Sequence, residues 1–389
     1  MRITYIHQHF CLPAESGGQR PWEFARRLVQ RGHQVTVIAG HQDAQELFLE
    51  GVRIVRLKAA YSNQMSFPSR VRSFLSFMGR ATLAALRLQA DVVFASSTPL
   101  TTAVPGIVAS YFRRVPFVFE VRDLWPSVPA RLGYLKAPAL IRSAQLVEAH
   151  AYRRASRVIA LSPSMREGVL QTAPLADVRL IPNAADIDLF SRPKADVAET
   201  RSGLGWSRPV AFYAGSFGET YRIPWMVRLA AAAPEIEFQI VGEGKATDEA
   251  RRLANELGLD ADRLLPGRIP KGEVARRMAA CDIALSSICN HPALQGNSLN
   301  KVFDALAAGR PVAFNHDGWL SEMLVMHGAG WRLDDDPEIA GRQLSEVVMH
   351  ESLLKAAAQA SAGLARRFDR EVLFEDFEQA LTFEPARLP

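Results

Sequence analysis

The sequence predicts an α/β protein with two doubly wound parallel sheets, and three observations predict it. Short β-branched runs alternate with longer amphipathic runs along the chain, the pattern of parallel strands joined by covering helices. The series runs once and restarts after residue 200. The length of 389 residues suits two domains at about 100–200 residues each.

The elements follow in order. "RITYIHQ" (2–8) reads as the first strand. A glycine-containing loop comes next, then a helix from about Pro21 to Arg31 closed by Gly32. "QVTVIAG", "DVVFAS", "PFVFEVR", "RVIALS" and "VRLIPN" continue the first series. "PVAFYAG", "EFQIVGEG", "RLLPGR", "DIALSS" and "RPVAFN" form the second. The polar stretch 190–206, "FSRPKADVAETRSGLG", reads as the link between them. Ligands of open parallel sheets bind beyond the carboxyl ends of the strands, so residues just after strands are the informative ones.

Hydrophobic residues at 48% and charged residues at 22% are the balance of a globular chain and leave no room for long disorder. Cys11, Cys281 and Cys289 are the three cysteines, too few and odd for a disulfide framework, which points to a reducing compartment. Cys289 and His291 lack a second pair at zinc spacing. Residues 2–8 read as a strand, not a signal core, and no run of 18 apolar residues offers a spanning helix. The net charge of +5 is uneven: residues 1–190 carry +10 and residues 191–389 carry −5. The first half therefore faces something anionic, whether nucleic acid, phospholipid or a phosphorylated acceptor.

Several post-strand stretches carry chemistry. Ser16, Gly17 and Gly18 precede a helix with Pro21 in its first turn. Exposed backbone N–H groups at a helix N-terminus suit an anion, with Arg20 as an assistant; a plain turn is the bland reading. "FEVRDLWP" ends a strand with Glu120, Arg122 and Asp123, charges that need a partner or a function in a core. Gly215 and Gly218 follow "VAFYA", with Arg222 beyond, as a second phosphate loop. Gly242 and Gly244 lack the third glycine of a dinucleotide fingerprint.

"GNSLNKVFDALAAGRPV" (296–312) reads as a helix capped by Asn297 or Ser298 and closed by Gly309 and Pro311. Asn297, Asn300, Lys301 and Asp304 share one face at helical spacing, with Val302, Phe303 and Leu306 opposite. A carboxylate there can accept ribose hydroxyls, lysine can neutralise a diphosphate, and the first N–H groups can bind phosphate or sugar oxygens. "DID" (186–188) and "DDD" (334–336) read as structure and as a solvated turn, not as metal sites.

"SFPSRVRSFLSFMGRATLAALRLQ" places Val71, Phe74, Leu75 and Met78, with Ala85 and Leu86 continuing the stripe, on one side of a helix and Arg70, Arg72, Arg80 and Arg87 on the other. Residues 51–90 hold seven Lys and Arg and no Asp or Glu. A basic amphipathic helix of this kind suits an anionic membrane surface; a core helix with a solvated arginine face is the other reading.

The chain resembles the GT-B glycosyltransferases of family 4. The resemblance is carried by "SGGQRPWEFARRLVQRGHQVTVIAG", "VRDLWP", "VIALSPSMREGVL", "VRLIPNAADIDLF", "FQIVGEGK" with "LPGRIPKGEVARRMAACDIALSS", and "SLNKVFDALAAGRPV". The bacterial O-antigen and capsule amino-sugar transferases, of the N-acetyl-fucosamine type, are the most similar subgroup. The resemblance implies two Rossmann-like domains facing a cleft: 1–195 for the acceptor and membrane, 196–370 for the nucleotide sugar, and 371–389 as a final helix returning to the first domain. It implies a retaining, metal-independent transfer from a UDP-sugar, with no cofactor, to a polyprenyl-diphosphate-linked saccharide. The enzyme is then cytoplasmic and peripherally attached to the inner face of the cell membrane through the 67–90 helix.

The resemblance also assigns residues. Asp304 matches the residue that holds the ribose. The backbone near Arg268 and Ile269 matches the base-binding loop. Gly17 and Gly18 match the diphosphate loop; the residues themselves add Ser16, Gly215, Arg222 and the helix start at Asn297, Ser298, Leu299 and Asn300 as donor contacts. Lys301 supplies the diphosphate charge, and Asp123 and Arg122 sit near the donor sugar or acceptor hydroxyl. Two family features are missing. Gly296 stands where the first of two paired glutamates is usual. Ser216 and Tyr221 stand where an arginine and a lysine are usual. A UDP-sugar 2-epimerase of the same architecture is the alternative, then a binding scaffold; a nucleic-acid binder lacks the aromatic interleaving such proteins carry.

Overall fold

The computed structural model describes residues 1–13, 15, 18–62, 65–192 and 194–383. The chain divides into two compact units. The first comprises Met1–Pro182, Gly296–Ser298 and Leu373–Pro389; the second comprises Asn183–Gln295 and Leu299–Val372.

The first unit is built on an eight-stranded sheet. Its strands are β1 (Arg2–Ile6), β2 (Gln34–His41), β3 (Gln45–Leu49), β4 (Val52–Lys58), β5 (Val92–Ser96), β6 (Phe117–Val121), β7 (Arg157–Ala160) and β8 (Val178–Leu180), in the spatial order β3-β4-β2-β1-β5-β6-β7-β8. All pairs are parallel except β3 with β4. β5 and β6 are buried at every position, because helices cover both faces, and such strands read as continuous apolar runs. Ile6, Ile38, Phe77, Val93, Phe117 and Val158 form the core on one face. Phe24, Phe374 and Phe377 pack together, with Phe377 also against Phe94, so the end of the final helix, Arg370–Leu381, is part of this unit.

The second unit is a five-stranded, wholly parallel sheet: β9 (Val210–Ala214), β10 (Glu237–Val241), β11 (Ile283–Ser286), β12 (Val312–Phe314) and β13 (Gly330–Arg332), ordered β10-β9-β11-β12-β13. Ile223, Trp225, Leu229, Phe238, Ile240 and Leu285 fill its core.

Three expectations need correction. The 190–206 stretch is mostly helix, Lys194–Gly203, and the division between units falls at Pro182–Asn183. "RLLPGR" is not a strand. Ala261–Leu264 is a short helix because Asp260 caps it, accepting from the N–H groups of Asp262 and Arg263, and a coil follows. The edge hairpin β3–β4 went unread. Its turn has Glu50 at φ 45° and Gly51 at φ 79°, positive at both central positions as a tight hairpin turn requires, but glutamate is a rare occupant of the first.

Candidate active site

The chemistry-bearing residues of the second unit collect at the carboxyl ends of β9, β11 and β12. The helix Asn300–Ala307 is capped one residue past Ser298 and two past Asn297, the two expected caps. Leu299 is the N-cap and makes no side-chain cap bond. Leu299 thus takes the position expected for Asn297 or Ser298, which group with the first unit. Val302, Phe303 and Leu306 are buried as expected, and Asn300 is exposed.

Lys301 is the centre of the arrangement. Its Nζ donates to the Tyr213 hydroxyl at 2.7 Å, and that hydroxyl donates to the Ser216 carbonyl at 3.1 Å. Nζ also lies 4.1 Å from the ring centroids of both Tyr213 and Tyr221, a two-sided cation–π contact. Gly215 makes this possible: a Cβ there would sit 2.9 Å from Lys301 Nζ and 2.9 Å from the Tyr213 hydroxyl. Burial alone pulls the Lys301 ammonium from its ordinary 10.5 down to about 7, since no carboxylate raises it again. Tyr221, the residue in place of the family's usual lysine, thus holds an ammonium that arrives from a different element.

Asp304 turns toward other neighbours. Burial pushes its carboxyl up to about 6, while Lys271 and Arg370 pull it down and Asp186 adds to the rise. Lys271 opens the helix that follows the Arg268–Ile269 loop, so this loop and Asp304 belong to one neighbourhood. Arg268 is exposed and Ile269 half-buried. Asp186 makes ion pairs with Lys271 at 3.3 Å and Arg370 at 3.2 Å, the structural part foreseen for it.

Arg222 does not reach a phosphate loop as a free charge. It is paired with Asp335 and lies over the Trp225 ring, and Trp225 Nε1 donates to the Asp335 carbonyl at 2.8 Å. The aspartate triplet is therefore more than a solvated turn, since Asp336 also caps the helix Pro337–Met349. Gly242 and Gly244 have a packing role: a Cβ on Gly242 would strike the Gly215 carbonyl at 1.8 Å, and one on Gly244 the Phe217 carbonyl at 2.6 Å.

Sequence reading missed a polar group beside Lys301. His316, after β12, bonds Ser286 Oγ at 3.0 Å and Ser321 Oγ at 3.1 Å through its two ring nitrogens. Burial lowers its pKa to about 4, with Lys301 contributing. Asn315 and Ser287, one residue past the paired ends of β12 and β11, are buried with the Asn315 amide and Ser287 Oγ unpartnered. Asparagine and serine one step beyond a strand were the available signal.

In the first unit, Ser16 and Gly17 lie outside the described residues. Gly18 is exposed just ahead of the helix Arg20–Gln30. Arg20 is not an anion ligand but a buried strut: it pairs with Glu120 at 3.0 Å, bonds the carbonyls of Ile181 and Pro182, and lies over the Phe24 ring. Glu120 also accepts from Ser96. Arg122 differs. Its guanidinium donates to His7 Nε2 at 3.0 Å, and burial with the neighbouring arginine holds His7 well below its ordinary 6.5, so the arginine charge is met by a neutral ring. Burial pushes the adjacent Asp123 up to about 6.

Residues 18–189 match Glycosyltransferase Family 4. Relatives extend the likeness. The probable glycosyltransferase WbjE of Pseudomonas aeruginosa is 22% identical over 317 residues, 78% of this chain and 77% of that protein. The lipopolysaccharide core biosynthesis glycosyltransferase LpsE of Rhizobium meliloti is 22% identical over 238 residues, 60% of this chain and 66% of that protein. Among solved structures, sucrose-phosphate synthase from Thermosynechococcus elongatus superposes with a TM-score of 0.77 at 18% identity, covering 97% of both chains. Anabaena HepE in complex with UDP and glucose superposes with a TM-score of 0.72 at 20% identity, covering 98% of this chain and 99% of that one. The fold is that of the GT-B glycosyltransferases, and the chain is a glycosyltransferase.

Proposed function

We propose that the protein is a retaining, metal-independent glycosyltransferase. It moves an N-acetylated amino or deoxyamino sugar from a UDP-sugar to a polyprenyl-diphosphate-linked saccharide in bacterial surface polysaccharide synthesis. The observation that carries the reading is the Lys301 ammonium, enclosed at the end of β9 by two tyrosines, with no carboxylate among the described residues to balance its charge. An enclosed ammonium is costly unless paired, and a diphosphate supplies the missing partner. HepE binds UDP and glucose, and LpsE acts in lipopolysaccharide core synthesis; both support this class of donor and pathway.

The chemical problem is departure of a diphosphate from an anomeric carbon. Lys301 stabilises the charge that develops on the leaving oxygen, as preorganised groups do in an enclosed site. The Asp304 carboxylate accepts two ribose hydroxyls, and the backbone at Arg268 and Ile269 takes the base. The peptide N–H groups at Leu299 and Asn300 face phosphate or sugar oxygens. Asp123 and Arg122 serve the donor sugar or the acceptor hydroxyl. Attack is from the front face, and the leaving phosphate oxygen takes the acceptor's proton.

The lipid-linked acceptor suits the surface of the first unit. Among the described residues no helix is long and apolar enough to cross a membrane. Of the stripe expected on the helix Phe67–Arg87, Ala85 is buried, Val71, Phe74, Met78 and Leu86 are half-buried and Leu75 is exposed. Ser73, Phe77, Ala81 and Ala85 face the core, and Leu75 and Leu83 are exposed. This helix, Ala103–Arg113 and Pro138–Arg154 pack in sequence. Together they expose Leu75, Leu83, Tyr111, Phe112, Leu140 and Leu146, with Arg72, Arg80, Arg113, Arg142 and Arg154 beside them. The one acid on these three helices, Glu148, is buried and pushed up to about 7. A cationic face with exposed apolar side chains fits the headgroup region of an anionic bilayer, on the cytoplasmic side of the cell membrane. A shallow cavity of about 650 Å³ opens there, lined by Pro68, Val71, Arg72, Leu75, Ser76 and Leu140.

The test is a screen of detergent-solubilised protein against UDP-sugars with polyprenyl-diphosphate-linked N-acetylglucosamine, read by mass spectrometry. An acceptor one sugar heavier is the expected product. Epimerised donor formed without acceptor would replace this reading with that of an epimerase.

A further inference from the structure

We infer that Tyr213 and Tyr221 are positioning residues that hold Lys301 poised between amine and ammonium, so that donor binding takes up one proton at this side chain. The inference rests on the reading that a UDP-sugar's diphosphate lies against Lys301.

The geometry supplies the argument. A lysine buried beside a carboxylate stays charged, and binding a diphosphate would have to compete with that carboxylate. Among the described residues Lys301 has no such competitor. The groups facing it are the Tyr213 hydroxyl and ring from β9, the Tyr221 ring from the loop before the helix Ile223–Ala232, and, at longer range, the neutral His316 after β12. Two π-faces and one phenol oxygen stabilise an ammonium, but less than an ion pair does. Enclosure works against the charge. The balance lies near neutrality, with the ammonium at about 7. A diphosphate carries two negative charges into contact with the amine and tips it fully to the ammonium. The step is RNH₂ + H⁺ → RNH₃⁺, the proton coming from solvent. Gly215 keeps this cage free of a side chain that would displace Nζ.

Calorimetry of the full chain with UDP-glucose and UDP-N-acetylglucosamine tests this, run in buffers of different ionisation enthalpy from pH 6 to 8.5. A sugar diphosphate is esterified at both ends and lacks the terminal phosphate ionisation near 6, so the counted protons belong to the protein. With the free amine at about 7, uptake of about 0.9 proton per donor is expected at pH 8 and about 0.1 at pH 6. Binding with less than about 0.2 proton taken up at pH 8 overturns the inference and leaves the nucleotide-sugar reading standing. Failure of every UDP-sugar to bind overturns both. Lys301→Arg, permanently charged, is expected to bind without uptake; undiminished uptake in that variant assigns the proton elsewhere and sinks the idea. Should the arginine variant not fold, Lys301→Met serves, with weaker binding and no uptake expected. Tyr213→Phe removes the hydroxyl that accepts from the ammonium, and the midpoint of the uptake curve should fall by roughly 0.5–1 pH unit. A midpoint unmoved in both Tyr213→Phe and Tyr221→Leu would reduce the tyrosines to packing and overturn their positioning role.

Discussion

Arg20, a buried cation, and Lys301, a half-buried one, both stand behind glycine-bearing loops, yet they are built in opposite ways. Arg20 is matched on every side: a carboxylate at 3.0 Å, two backbone carbonyls and an aromatic face. Lys301 has two aromatic faces and one phenol oxygen. A charge that the fold fully compensates has nothing left to offer a ligand, and its removal strands a partner. A charge that the fold leaves under-compensated is a cost to the empty protein and a gain when an anion arrives. The comparison assigns Arg20 to the architecture and Lys301 to the chemistry.

The sharpest way to break that contrast is Arg20→Met. Glu120 would remain buried without its cation, and the expected loss of stability is about 3–5 kcal/mol, read from denaturant unfolding. Stability within about 1 kcal/mol of the parent would remove the structural half of the argument.

The mirror experiment is Lys301→Ala. Transfer from the UDP-sugar should fall by roughly 10²-fold or more, the scale of one lost contact to transition-state charge. The thermal midpoint should not fall in proportion, because the enclosed amine loses no ion pair. The sign follows from linkage. With its folded value at about 7 and its ordinary value at 10.5, the unfolded chain binds the proton more tightly, so this group disfavours the folded state most below pH 7, and stability rises with pH between 7 and 10.5. A rate within threefold of wild type would defeat the assignment.

Asp304→Asn comes next. It keeps the shape and removes the carboxylate charge, and donor affinity should weaken about tenfold, the value of a hydrogen bond to a charged group. Unchanged affinity by calorimetry would move the ribose contact elsewhere. The smallest effect is expected at the cationic surface. Arg72→Gln with Arg80→Gln should weaken partition onto phosphatidylserine vesicles by about 1 kcal/mol per charge, measured by co-sedimentation at low and physiological salt. Equal partition of parent and variant would separate this face from the membrane.

Much of the fold was legible because each strand is short, local and apolar. "VVFAS", "FVFEV" and "EFQIV" are strands buried at every position, and a covered parallel sheet favours such apolar runs, with Glu120 and Glu237 held by arginines. The hairpin β3–β4 was not legible, because it lies at the sheet edge, where side chains need not be apolar: β3 is exposed or half-buried throughout. The helix Phe67–Arg87 was legible as basic and amphipathic, but its buried row is Ser73, Phe77, Ala81 and Ala85. Small residues set that face, since they allow the helix to approach its neighbours, and a hydrophobicity pattern undervalues them.

The sequence by itself determined which residue types stand at strand ends: Gly215 after β9, Lys301 and Asp304 on the helix that follows β11, Arg122 and Asp123 after β6. It also determined the alternation that yields two sheets. Only the tertiary structure decided which of these charges are balanced. The partners lie far apart in the chain: Arg20 and Glu120 are separated by 100 residues, Arg222 and Asp335 by 113, Lys301 and Tyr213 by 88. Propensity and periodicity act over a few residues, whereas the energy of a buried charge depends on whatever surrounds it in space. Arg222 and Lys301 were therefore alike in the sequence, and a carboxylate beside one and two tyrosines around the other made them different.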